Sequence, residues 1–151
     1  MRQTDPDAHL VILGGGPYEG ELRALAARLG VAEHVAIRQV DPRDRSAMAR
    51  ELSSAQALAA LSDYEAHPVA VMEALTLGVP VVGFDVAGIG DLVEDGLVTG
   101  LPTSAGAAEV AAAVVAVMAG PRGQHLDAAD FPTWEDCARQ LADVYRAEAR
   151  R

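Results

Sequence analysis

Leu10-Val11-Ile12-Leu13-Gly14-Gly15-Gly16-Pro17-Tyr18-Glu19-Gly20-Glu21 decides the fold class. The apolar run Leu10–Leu13 has the length of a buried strand, and three glycines and a proline stop it. Pro17 suits the first position of a helix, and Glu19 and Glu21 suit its first turn, where the dipole favours negative charge. Leu22, Leu25, Ala26 and Leu29 then recur on one helical face, and Gly30 stands where a C-terminal cap belongs. A strand, a tight glycine turn and an amphipathic helix make the opening of a β-α-β unit.

The same alternation continues outward from this unit. Val35-Ala36-Ile37 reads as a second strand, Arg43 to Leu52 as a helix and Ala57 to Leu61 as an alanine-weakened third strand. Pro68 to Leu77 reads as a helix closed by Gly78, and Val79 to Gly83 as a fourth strand. Ile89 to Val93 predicts a short helical turn, and Thr99-Gly100-Leu101 a brief fifth strand. Ser104 is the expected cap of a helix from Ala107 to Met118. A loop is expected over Gly120 to Asp130, and a last helix, charged outside, over Trp134 to Ala149. Strands alternating with helices predict an α/β, Rossmann-like, doubly wound parallel sheet, spanning residues 1–151 as one domain. Ligands of such sheets lie beyond the carboxyl ends of the strands.

Composition narrows the function. The net charge is −10, which argues against nucleic acid, since phosphate backbones are bound by basic surfaces. A single nucleotide remains compatible, because backbone N–H groups at a helix start can hold its phosphates. All 12 basic residues are arginine, so any step that needs a lysine must borrow one from another chain. No apolar stretch reaches the ~18 residues of a membrane span, and the first residues lack the apolar core of a signal peptide. Cys137 is the only cysteine, which excludes an internal disulfide and fits a reducing, cytoplasmic setting.

The residues richest in chemistry run from Ser62 to Leu75: Ser62-Asp63-Tyr64-Glu65-Ala66-His67-Pro68-Val69-Ala70-Val71-Met72-Glu73-Ala74-Leu75. Glu65 precedes the predicted helix and Glu73 lies inside it, ~7.5 Å along the axis from Pro68 at 1.5 Å per residue. Between the carboxylates lies the helix start, whose free N–H groups favour a phosphate. A carboxylate, a phosphate seat and a second carboxylate suit a sugar–diphosphate–ribose ligand. Other features read more plainly. His67 reads as a packing or capping residue, and His9, His34 and His125 lack metal-ligand spacing. The third glycine of a dinucleotide fingerprint would fall at Glu19, which disfavours NAD. Ser62 has no His/Asp partner for a hydrolase. Met48, Met72, Met118 and Cys137 read as core.

This stretch resembles the E-x7-E signature of family 4 retaining glycosyltransferases, whose fold is the two-domain GT-B. Further segments resemble the same family in order. Leu10 to Pro17 is similar to its strand and glycine turn, and Gly78 to Val82 to its strand after the signature helix. Ala87 to Val93 resembles its Gly-Gly-x-Pro-Glu loop, with Gly90-Asp91 in place of Pro-Glu. Glu94-Asp95-Gly96 with Thr99-Gly100 resembles its Asp-Gly-x-Thr-Gly turn, and Trp134 to Tyr145 its closing helix. His67 replaces a usual aromatic, and Gln56 a usual Asp.

The resemblance implies binding of a nucleotide-diphosphate sugar by a C-terminal donor domain for hexosyl transfer with retention. It implies that Glu65 is the catalytic-site carboxylate, holding hydroxyls of the transferred sugar, and that Glu73 holds the ribose hydroxyls. Backbone amides of His67, Pro68-Val69 and Ala70 would face the sugar and diphosphate. Arg38 and Gln39 would border the base, and Gly15 and Gly16 would let the chain pass close to the ligand. No metal and no covalent cofactor are implied. The family's first βα unit, with its Arg and Lys diphosphate clamp, has no counterpart before Leu10, nor has the N-terminal acceptor domain. A sugar or lipid acceptor, and any peripheral membrane contact, would belong to that missing domain. The alternative expectation is a non-catalytic fragment or subunit that needs a partner chain, and self-association through an exposed edge is expected. A sugar-nucleotide 2-epimerase of the same fold fits the series less well.

Overall fold

A computed structural model describes residues 6–121 and 133–149. Five parallel strands alternate with helices: β1 Leu10–Leu13, α1 Glu19–Arg28, a 3-10 turn Ala32–His34, β2 Val35–Arg38, α2 Arg45–Ser54 and β3 Leu58–Ala60. There follow α3 Val69–Thr76, β4 Val81–Phe84, α4 Ala87–Glu94, β5 Thr99–Leu101, α5 Ala107–Ala119 and α6 Trp134–Glu148. The expected α/β order is therefore present, and the differences lie mostly at the ends. α1 begins at Glu19, with Tyr18 as its cap position, so Pro17 precedes the helix. Gly106, not Ser104, starts α5, its N–H donating to the Glu109 carboxylate at 2.9 Å. The loop expected over Gly120 to Asp130 lies, from residue 122 on, outside the described residues.

All strand pairings are parallel, as expected. β1 pairs with β2, Leu10 opposite Val35, and β3, β4 and β5 form a second parallel set, with Leu58 opposite Val81 and Val82 opposite Thr99. The parallel pairing is that of the expected Rossmann-like α/β domain without its first βα unit, and the strands fall into two sets, ordered β1-β2 and β3-β4-β5. Each set winds outward from its first strand, and no strand among the described residues pairs with the remaining edge of β1 or β3.

Burial is just as uneven. The core cluster is Val71, Ala74, Leu75, Val79, Val81, Ile89 and Val98, contributed by α3, β4, α4 and the approach to β5. α3 buries Val71, Ala74 and Leu75 at i, i+3 and i+4, the spacing of one helical face. Gly78 ends this helix at φ 69°, while Val79 N–H reaches back to Ala74 O at 2.9 Å and turns the chain into β4. In the first unit only Ala26 is buried on α1, while Leu22, Leu25 and Leu29 of the same stripe stay exposed. Leu10 and Val11 of β1 are exposed as well, at 51% and 41%. α6 carries exposed Trp134, Leu141, Val144 and Tyr145. Cys137, expected in the core, is exposed because the apolar stripe of α6 is not packed away.

Candidate functional site

The site residues gather at the carboxyl ends of the strands, and two junctions build it. At the first, β1 runs into Gly14-Gly15-Gly16 and β2 into Gln39. The ladder extends one step past β1, with Gly14 N–H donating to Arg38 O at 2.9 Å. Gly15 then lies directly against Gln39: a Cβ on Gly15 would stand 2.9 Å from the Gln39 amide carbon. Two residues singled out for the site thus touch, the Gln39 side chain lying over the bare Gly15. Gly16 has open space around it. Arg38 is held through its guanidinium by Glu51 of α2 at 2.5 Å.

At the second junction the chain leaves β3 and runs through Leu61 to Pro68 into α3. Glu65 is half-buried, while His67, Val69 and Ala70 are exposed. Pro68 is buried and occupies the cap position of α3, where no side chain caps the helix. Val69 N–H donates back to His67 O at 2.8 Å, and no side chain caps the amides of the residues that follow. His67 offers no side-chain cap, which sets aside its capping role and leaves it exposed at the helix start. Glu73 lies one turn further in, on the flank of α3 between the buried stripe and solvent, its side chain 22% exposed.

Two features escaped the sequence reading. The loop that carries Glu65 is backed by the start of α4. Gly88 N–H donates to Glu65 O at 2.8 Å, and a Cβ on Gly88 would stand 2.6 Å from Ala66 O. Ala87 beside it adopts φ 42°, a left-handed conformation that costs an alanine about 1–2 kcal/mol. The resemblance of Ala87-Gly88 to a double glycine was the available signal for so close an approach. The second feature is α2, which reaches both junctions. Its first residue, Arg45, donates to Glu73 Oε1, and its Glu51 receives Arg38. Nothing in local spacing announces either pair.

The arrangement offers two half-buried carboxylates about one uncapped helix start, a glycine turn beside a glutamine, and two arginines near them. It can accept hydroxyl donors at two places and an anion between them. No group of three or more His, Cys, Asp and Glu residues is placed to hold a metal ion among the described residues.

Parallel strands with helical crossovers and polar groups gathered at the strand ends define a Rossmann-like α/β domain. A solved lipopolysaccharide outer core galactosyltransferase, in its apo form, shares that fold. It superposes over 78% of this chain and 33% of its own, with a TM-score of 0.62 and 22% identity. The family model for glycosyl transferases group 1 matches residues 1–125. This chain belongs to that family. A GDP-mannose-dependent alpha-(1-6)-phosphatidylinositol monomannoside mannosyltransferase of Mycolicibacterium smegmatis is 30% identical over 99% of this chain and 43% of its own length. A D-inositol 3-phosphate glycosyltransferase of Jonesia denitrificans is 38% identical over 59% of this chain and 22% of its own. The chain thus spans less than half the length of these curated relatives. No helix among the described residues is long and apolar enough to cross a membrane.

Proposed function

We propose that this chain binds a nucleotide-diphosphate sugar for retaining hexosyl transfer to a sugar or lipid acceptor, as a family 4 donor domain. The observation that carries the reading is the uncapped start of α3 bracketed by half-buried Glu65 and Glu73. The helix start takes the diphosphate, where its unpaired N–H groups and dipole favour negative charge. Glu73 accepts from the ribose hydroxyls and Glu65 from hydroxyls of the hexose. Gly15, Gly16, Arg38 and Gln39 border the base. As the bond to the sugar breaks, charge develops on the departing diphosphate, and the oriented amides of the helix start stabilise it. No metal and no covalent cofactor take part in this scheme. The named donor of the mannosyltransferase relative makes a guanosine donor the first to test.

Calorimetry against GDP-mannose, UDP-glucose, ADP-glucose and the free diphosphates tests the reading. Submillimolar binding of one nucleotide, strengthened by its sugar, is expected. No binding of any of them sinks it.

A second reading has its own observation. The sets β1-β2 and β3-β4-β5 join into one doubly wound sheet only if a further parallel strand lies between β1 and β3. Under this reading the chain acts as a subunit or fragment. A polypeptide carrying that strand completes the sheet, the diphosphate clamp and the acceptor side. Alone, it self-associates through the exposed Leu10–Val11 edge and transfers no sugar at a useful rate. Gel filtration and a transfer assay decide this: a stable monomer that turns over a nucleotide sugar unaided refutes it.

A further inference from the structure

Glu73 projects from α3 with a partner that sequence spacing does not announce. The guanidinium of Arg45, 28 positions earlier, donates through Nη2 to Oε1 of Glu73. Local physics opposes an arginine at that place. Arg45 is the first residue of α2, where the positive end of the helix dipole meets it and no acidic residue shares the turn. Its mounting is nevertheless hydrogen-bonded on both sides of the helix start. Asp44 caps α2, its carboxylate accepting from Ala47 N–H at 2.8 Å, and Asp44 N–H donates to Asp41 O at 2.9 Å. The pair also leaves room for a ligand. One nitrogen meets one oxygen, so Glu73 keeps Oε2 and a second lone pair on Oε1 out of roughly four acceptor sites. Arg45 itself is 68% exposed, and the carboxylate beneath it only 22%. The other end of α2 is tied down in the same way, through Glu51 to Arg38.

We propose that Arg45 is a positioning residue for Glu73: it freezes the carboxylate in one rotamer while leaving Oε2 free for a vicinal diol of the ligand. This rests on the reading of Glu73 as the ribose-binding group. Its physical content is entropic. A glutamate held in place during folding does not lose that rotamer freedom again when ligand binds. An exposed ion pair of this kind adds little to global stability, so its consequence falls on recognition of the diol.

The test compares GDP and UDP with their 2′,3′-dideoxy forms by calorimetry, in the parent chain, Arg45→Ala and Arg45→Lys. In the parent, the better-bound of the two loses about 30- to 150-fold in affinity without its hydroxyls. In Arg45→Ala that ratio should shrink about tenfold, with a melting temperature within about 3 °C of the parent's. Arg45→Lys should restore part of it. An unchanged ratio in Arg45→Ala overturns the proposal. A larger ratio overturns it too, and makes Arg45 a competitor of the ligand. Equal weakening toward both forms also overturns it, and assigns Arg45 to the phosphates. No discrimination in the parent removes the role of Glu73 itself, and with it the proposal.

Discussion

Gly88→Ala should loosen the loop that carries Glu65. A Cβ at position 88 would stand 2.6 Å from Ala66 O and 3.1 Å from both Ala66 C and Glu65 O. All three are backbone atoms, so no rotamer change relieves the clash. The first turn of α4 must retreat by about 0.8 Å before the shortest contact reaches the ordinary 3.4 Å. That retreat stretches the 2.8 Å hydrogen bond from Gly88 N–H to Glu65 O beyond use. Overpacking costs about 1–3 kcal/mol and the lost hydrogen bond about 0.5–1.5. The gain in helix propensity from glycine to alanine offsets about 0.5–1 kcal/mol. The net destabilisation is about 2 kcal/mol. Urea denaturation should show it as a lower midpoint at unchanged slope. Because the Glu65 peptide loses its support from α4, the affinity added by the hexose of a bound nucleotide sugar should fall as well, while that of the free diphosphate holds. Ala87→Gly is the control of opposite sign: at φ 42° it should stabilise by about 1 kcal/mol. If Gly88→Ala leaves the midpoint where it was, the close approach of α4 to the Glu65 loop is not a constraint, and the argument fails.

Three further perturbations address the site and the last helix. Glu73→Ala should weaken binding of the free nucleoside diphosphate by ~2–3 kcal/mol, or ~30- to 150-fold, with the fold intact, because its partner Arg45 relaxes into water. Calorimetry checks this, and equal affinity of variant and parent for UDP and GDP refutes the role. Glu65→Ala should leave the affinity for free diphosphate nearly unchanged and erase the increment from the hexose; equal loss of both would assign Glu65 to supporting the loop. At the start of α6, Asp136 is held below the ordinary carboxylate range, first by the Thr133 hydroxyl, then by the Thr133 backbone N–H, with Arg139 adding to it. Its folded value is depressed, so the cap's contribution is present above the ordinary carboxylate pKa and is lost as pH falls through the lower folded value. Carboxyl-carbon NMR titration should show this lowered midpoint, and Thr133→Ala should return it toward the ordinary range.

Local rules within a few residues wrote most of the architecture into the sequence. Short apolar runs, the first of them stopped by glycine, placed β1 and β2 closely, and β4 within two residues. The glycines after α1 and α3 marked helix ends, where the backbone does adopt positive φ at Gly30 and Gly78. The run from Pro68 to Leu77 placed α3 within a residue at either end, while the face it buries, with Glu73 on its flank, is a finding of the structure. Pro68 beside a helix start, with a carboxylate on either side, made the candidate site legible before any coordinates.

What the sequence could not express are contacts between elements, because their distances depend on how helices cross and strands pair. Arg45 meets Glu73, and Arg38 meets Glu51, only because α2 lies against α3 and reaches back toward the end of β2. Gly88 is confined by a peptide of the Glu65 loop that is remote in sequence. Apolar periodicity foretold a face for α1 and α6, but burial requires a partner surface. Leu22 and Leu25, placed inside by spacing, and Cys137, placed inside by residue type, therefore remain exposed. The division of five parallel strands into two sheets follows from the same cause. Each strand's propensity is local, whereas the hydrogen-bonding edge it finds is set by whatever chain lies alongside it.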